Sequence, residues 1–173
     1  MLAILGCALT VATAAAQELP PGPQGAPPAA DYEFVPVESE SIDDAIDEAV
    51  AHMNFIVRRI ARGRLEGANQ PIDLIELRYP ADSVWIRLRR HEPPIITPQS
   101  GEFTDYTRAD GETVQVRTRL GQGVIEQWFE AEDGRKGMTY RLRPDGSLAL
   151  EVEVHSDRLR EPLTYTWVYR RVE

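Results

Sequence analysis

Residues 124–154 read VIEQWFEAEDGRKGMTYRLRPDGSLALEVEV, an alternation of apolar and polar residues interrupted twice by turn chemistry. A two-residue turn at Asp133-Gly134 predicts Phe129 opposite Met138 and Ile125 opposite Leu142. A three-residue turn at Pro144-Asp145-Gly146, with Gly146 left-handed, predicts Leu142 opposite Leu148, Tyr140 opposite Leu150 and Met138 opposite Val152. One face then collects Ile125, Phe129, Met138, Tyr140, Leu142, Leu148, Leu150, Val152 and Val154. The other collects Glu126, Glu130, Arg141, Arg143, Glu151 and Glu153, with Glu126 facing Arg141. A slip of one residue would scramble both sets, so agreement across two turns specifies antiparallel strands with one buried and one solvated face.

The same pattern extends outward in both directions. Strands are predicted over 72–79, 84–90, 103–108, 113–120, 124–131, 137–143, 147–155 and 163–172, with further turns at Asp110-Gly111 and Gly121-Gln122-Gly123. Val114, Val116 and Leu120 join the apolar face; Arg117 and Arg119 join the charged one. Eight short strands at this spacing predict a mainly β fold, an antiparallel up-and-down barrel or strongly curved sheet. The last strand places Leu163, Tyr165, Trp167 and Tyr169 on one side, where aromatic bodies with polar tips either line a pocket or close the core.

One N-terminal helix is predicted ahead of the strands, over 41–62. Ser41 is its N-cap, with Asp44 three residues on. Ile42, Ile46, Ala49/Val50, Met53, Val57 and Ile60 form an apolar stripe, and Gly63 is the expected stop. The stripe is expected to pack into the core rather than lie on a membrane, because the polar face is acidic.

The charge is unevenly spread. The 173-residue chain carries 28 acidic and 19 basic side chains, a net charge of −9. Residues 18–48 hold nine acids and no base, while the rest balances at 19 against 19; 18 of those bases are arginine and one, Lys136, is lysine. This argues against nucleic-acid binding through phosphate neutralisation. The single cysteine, Cys7, excludes a disulfide scaffold or a cysteine-built zinc site.

The uncharged segment 1–16, MLAILGCALTVATAAA, is expected to be a signal peptide, cleaved after Ala14-x-Ala16. Ile4-Leu5-Gly6-Cys7 resembles a bacterial lipobox, so a start codon further upstream would make Cys7 a lipidation site and the membrane would then be reached through that anchor. Either route implies an exported protein, periplasmic or envelope-associated. Residues 17–40, with the LPPGPQGAPPAA stretch at 19–30, are expected to be an extended acidic linker, leaving 41–173 as the folded domain.

From Gly101 to Arg171 the layout resembles the C-terminal half of the calycin barrels of the fatty-acid-binding-protein and lipocalin superfamily. The resemblance lies in Gly101-Glu102-Phe103-Thr104-Asp105, the Ala109-Asp110-Gly111 turn, Val124–Phe129 before Asp133-Gly134, Arg141 before Asp145-Gly146, and Val168-Tyr169-Arg170-Arg171. It implies a barrel enclosing a small apolar ligand. Three departures are visible. Fatty-acid-binding proteins present Arg-x-Tyr on the last strand, and here that place reads Trp167-Val168-Tyr169. The resemblance turns Arg141 inward, whereas the register turns it outward. Fatty-acid-binding proteins insert a helical lid between their first two strands, whereas here the helix is expected to precede them all. A cystatin-like roll clasping the helix is the alternative architecture.

No catalytic motif is present: no P-loop, G-x-S-x-G or G-x-G-x-x-G, and His52, His91 and His155 are scattered. His52 is expected to pair with Glu48 on the helix surface, and Arg87, Arg89 and Arg90 beside Trp85 to form a charged strand face. No cofactor and no metal are implied. The expected function is non-enzymatic binding of a small hydrophobic ligand or lipid by Tyr140, Tyr165, Trp167 and Tyr169. The alternative is a structural or interaction module without a cavity. An enzyme would require Tyr140, Glu151 and His155 to converge.

Overall fold

The computed structural model describes residues 21–108, 111–132 and 134–172. Ten strands form one antiparallel sheet in the order β4-β3-β2-β1-β10-β9-β8-β7-β6-β5. They are β1 (Asp31–Phe34), β2 (Leu74–Arg78), β3 (Ser83–Arg87), β4 (Ile95–Pro98), β5 (Thr104–Thr107), β6 (Thr113–Gly121), β7 (Val124–Ala131), β8 (Gly134–Leu142), β9 (Leu148–Ser156) and β10 (Leu163–Arg171). The sheet curls until its edge strands β4 and β5 approach each other without pairing. The result is a nearly closed barrel with an apolar inside, and the open cystatin-like roll is set aside.

The central hairpins show what alternation can and cannot specify. Between β8 and β9, Leu142 faces Leu148, Tyr140 faces Leu150 and Met138 faces Val152, as the Pro144-Asp145-Gly146 turn predicts. Between β7 and β8 the register is displaced by two residues, with Phe129 facing Lys136, Ile125 facing Tyr140 and Glu126 facing Thr139. Gly134 belongs to the strand, opposite Ala131, rather than to the turn; Asp133 lies outside the described residues. The glycine is required for another reason: a Cβ there would fall on the carbonyl oxygen of His155 in β9. A shift of two preserves side-chain parity, so the inner and outer faces survive it. Arg141 is outward, bonded to Glu151 at 3.0 Å rather than to Glu126. The outer face is a surface of such pairs.

Two strands and a helix boundary depart from expectation. β1 arises within the predicted linker, where Tyr32 turns inward and the four residues bridge β10 and β2. β4 is a short strand between prolines, paired with β3. The single helix is two: α1 (Ile42–Val50) and α2 (Phe55–Ala68), both lying between β1 and β2. They therefore do not precede the strands, and their placement is the one the resemblance implies. Ser41 Oγ accepts from the Asp44 amide as predicted. Asn54 caps α2 in the same way, its Oδ1 accepting from the Val57 amide, so the chain stops and restarts between residues 50 and 55. Arg58 from α2 donates to the Ala51 and Met53 carbonyls, satisfying acceptors that α1 leaves at its end. Gly63 does not terminate the helix, which runs to Ala68.

The predicted stripe divides with the helix. Ile46 and Val50 of α1 are fully buried, and α1 packs against β10. On α2, Phe55 and Ile56 are 79% and 71% exposed, and Val57 and Ile60 are exposed as well. The flanking charges there are Arg58, Arg59, Arg62 and Arg64 against Glu66, so this polar face is basic, not acidic. Arg62 joins the two helices by pairing with Asp43, Asp47 and Glu66.

The proline-rich segment docks on the barrel from residue 22 onward. The Gly25 carbonyl accepts from the Gly123 amide at 2.7 Å, Tyr79 donates to the Pro27 carbonyl at 2.6 Å, and Tyr32 donates to that of Pro28 at 3.1 Å. Ala26 is buried by these contacts. Residues 35–40 then run along β10. The Val35 and Glu40 amides donate to the Val168 and Thr166 carbonyls, and Ser39 Oγ accepts from the Val168 amide. The ordered body thus begins well before residue 41.

Candidate functional site

A cavity of about 890 Å³ lies between α2 and the β5–β9 side of the barrel. That size is typical of sites enclosing a drug-sized or lipid-sized ligand. Leu65, Leu88, Val114, Phe129, Met138 and Val154 form its apolar lining. Their inward position follows from strand parity and, for Leu65, from the face α2 turns to the barrel. Tyr106 on β5 adds a phenol, edge-on to Phe129 with ring centroids 6.4 Å apart.

Charge enters this cavity from one sign. Arg64, Arg89, Arg108, Arg135, Lys136 and Arg158 line it, with Glu92 the one lining carboxylate among the described residues. Arg89 donates to Glu92 at 3.0 Å, and Arg108 to Glu112 at 3.0 Å. Lys136 has no carboxylate within 4.0 Å among the described residues. Its ammonium donates to Asn69 Oδ1 at 2.9 Å and to the Ala68 carbonyl at 3.4 Å. An ammonium has three N–H donors, so one remains for the cavity. Burial, reinforced by repulsion from Arg89 and Arg108, pulls its pKa down to about 8. Asn69, the buried residue ending α2, also accepts from the Tyr165 hydroxyl at 3.1 Å and donates to the Leu65 carbonyl at 2.8 Å. One amide thus ties the helix to the lysine and to the core.

Tyr140, Tyr165, Trp167 and Tyr169, the residues expected to bind a ligand, are all buried, and none lines this cavity. Trp167 and Tyr165 stack at 4.6 Å, and Phe34 meets Trp167 edge-on at 5.7 Å, so this part of the interior is filled. The hydroxyls sit one layer behind the lining: Tyr140 donates to Gln127 Oε1 at 2.9 Å beside Met138, and Tyr165 reaches Asn69. Burial raises the pKa of all three tyrosines, so they remain neutral donors. Thr97, Thr118 and Gln127 are buried as well, with the hydroxyls of Thr97, Thr118 and Tyr169 and the amide nitrogen of Gln127 lacking a partner among the described residues.

Other expected groupings separate. Arg89 turns into the cavity while Arg87 pairs with Glu76 and Arg90 with Glu33 on the outside. Tyr140 points inward, Glu151 outward to Arg141, and His155 Nε2 meets Glu153 at 2.7 Å, so the three do not converge. His52 is exposed in the turn between the helices. Cys7 and the export segment lie outside the described residues. The decisive site residue had a signal in the sequence: Lys136 occupies the inward parity of β8 with Met138 and Tyr140, a lone cation on an apolar face.

The barrel, with paired helices between its first two strands and a cavity beneath the second helix, has the calycin type of fold. Among solved structures the fold is similar to "REP1-NXSQ fatty acid transporter" (18% identity, TM-score 0.54, covering 84% of this chain and 96% of that one). It is also similar to a fatty-acid-binding protein from brain tissue of Drosophila melanogaster (15% identity, TM-score 0.52, 81% and 95% covered). A third similar structure is a Schistosoma mansoni fatty acid binding protein in complex with arachidonic acid (13% identity, TM-score 0.52, 83% and 95% covered). No family model matches the chain, and no curated protein matches it.

Proposed function

We propose that the protein is a non-enzymatic carrier whose barrel encloses the apolar part of a small amphipathic lipid. The observation that carries this is the cavity of about 890 Å³ between α2 and the barrel, with an apolar wall of Val114, Phe129, Met138 and Val154. The likeness to fatty-acid-binding barrels supports it at the level of fold. A lipophilic fluorescent probe titrated into the folded protein should saturate at one site. Val114→Trp, which fills the cavity from its wall, should weaken the probe about tenfold or more. A folded sample that shows no saturable binding removes the proposal. The lipid is met outside the cytoplasm in this reading, supported by the apolar segment 1–16 and its Ala14-x-Ala16 site. Cell fractionation tests this, and palmitate labelling lost in Cys7→Ser tests the anchor.

A further inference from the structure

We propose that Lys136 captures long-chain aldehydes covalently, its amine condensing with the carbonyl while the chain fills the cavity beside it. This rests on the carrier reading above for the chain and adds a bond-forming group at its end. Lys136 is half-buried, lines the cavity, and sits on β8 at the same inward parity as Met138. The other 18 strongly basic side chains are arginines, whose guanidinium groups stay protonated and do not add to a carbonyl. The amine is also held in place. Asn69 Oδ1 accepts one N–H at 2.9 Å and the Ala68 carbonyl a second at 3.4 Å. With both hydrogens of the neutral amine so engaged, its lone pair is what remains for the cavity.

The setting supplies that neutral form. Burial and repulsion from Arg89 and Arg108 bring the pKa down to about 8, so about one amine in ten is unprotonated at pH 7. An ordinary lysine offers fewer than about one in a thousand. The step balances without a co-reactant. The lone pair adds to the carbonyl carbon, the π pair moves to oxygen, and one N–H proton follows it to give a carbinolamine. Expulsion of the hydroxyl with the second N–H proton releases one water and leaves a neutral imine. The apolar wall of Val114, Phe129 and Met138 favours the chain over the water that would reverse the step. The surroundings that disfavour the ammonium also disfavour the iminium from which hydrolysis starts.

Incubation of the full chain with dodecanal and cyanoborohydride at pH 7, read by intact mass and peptide mapping, tests this. Reduction should fix one dodecyl group on Lys136. Propanal at the same concentration should label Lys136 at least about tenfold less, because it lacks the chain that the cavity holds. Excess dodecanol should block attachment at Lys136 and leave labelling of the terminal α-amine unchanged. In probe displacement, dodecanal should bind at least about tenfold more tightly than dodecanol, and in Lys136→Arg that advantage should vanish. No dodecyl group on Lys136 in a protein that still binds the probe overturns the proposal and leaves the carrier reading intact. Equal labelling by the two aldehydes, or labelling that dodecanol does not reduce, shows an amine reacting without the cavity and overturns it as well. Failure to bind probe, alcohol or aldehyde removes both readings. The wild-type arms decide the outcome even where Lys136→Arg does not fold.

Discussion

The two sides of the barrel interior are built from the same alternating pattern and end up opposite in character. On the β1, β2 and β10 side, Tyr32, Ile75, Leu163, Tyr165, Trp167 and Tyr169 are buried, and α1 covers them with Ile46 and Val50. On the β5–β8 side, the inward residues surround a cavity, and α2 above it buries no residue fully. Alternation decides which side chains face inward. Whether they meet one another depends on what the covering helix inserts between them.

The largest break in this contrast is expected from Trp167→Ala. Removing a fully buried indole from the filled side should cost about 3–5 kcal/mol, read by urea unfolding. Phe129→Ala, on a wall that already borders open space, should cost clearly less, about 1–2 kcal/mol, and enlarge the cavity. The helices give the next test. Ile46→Ala should destabilise by about 2–5 kcal/mol, whereas Phe55→Ser should stay within about 0.5 kcal/mol because its ring is already in water. Equal effects would show that α2 is as much a part of the core as α1.

A subtler sharpening comes from pH. Lys136, with its pKa pulled down to about 8, is charged below that value and neutral above it. Its reaction with an amine-directed reagent should therefore increase as pH rises through about 8. Lys136→Arg should abolish that reaction inside the barrel, because a guanidinium stays protonated. The smallest effect belongs to the outer face, where Arg141→Met breaks the pair with Glu151 and should change stability by less than about 1 kcal/mol.

Much of the barrel is legible in the sequence because parity is local. The inner and outer sets of β6 to β10 follow from residues 113–172 alone, and Arg141 is placed correctly against the family pattern. Register is less legible: a two-residue displacement at β7–β8 leaves parity unchanged, and it brings Gly134 into the strand, where its close approach to His155 involves a third strand, β9. β1 escaped because its four residues, two of them acidic, gain their strand geometry from neighbours in β10 and β2. The cavity residues escaped for a related reason. Asn69 and Lys136 lie 67 positions apart and meet only once the barrel has closed. The aromatic run of β10 was the more conspicuous pattern, and it fills the core.

One consequence of the site concerns chemical access. Lys136 is the only lysine in the chain, so it carries the only ε-amino group. Its lowered pKa leaves an appreciable unprotonated fraction near neutrality, the form that attacks acylating reagents. Besides the terminal α-amine, a mild amine-directed label should thus mark Lys136 in the interior of this barrel, and a bound ligand should shield it. A protein otherwise armed with arginine carries a built-in reporter of its own occupancy.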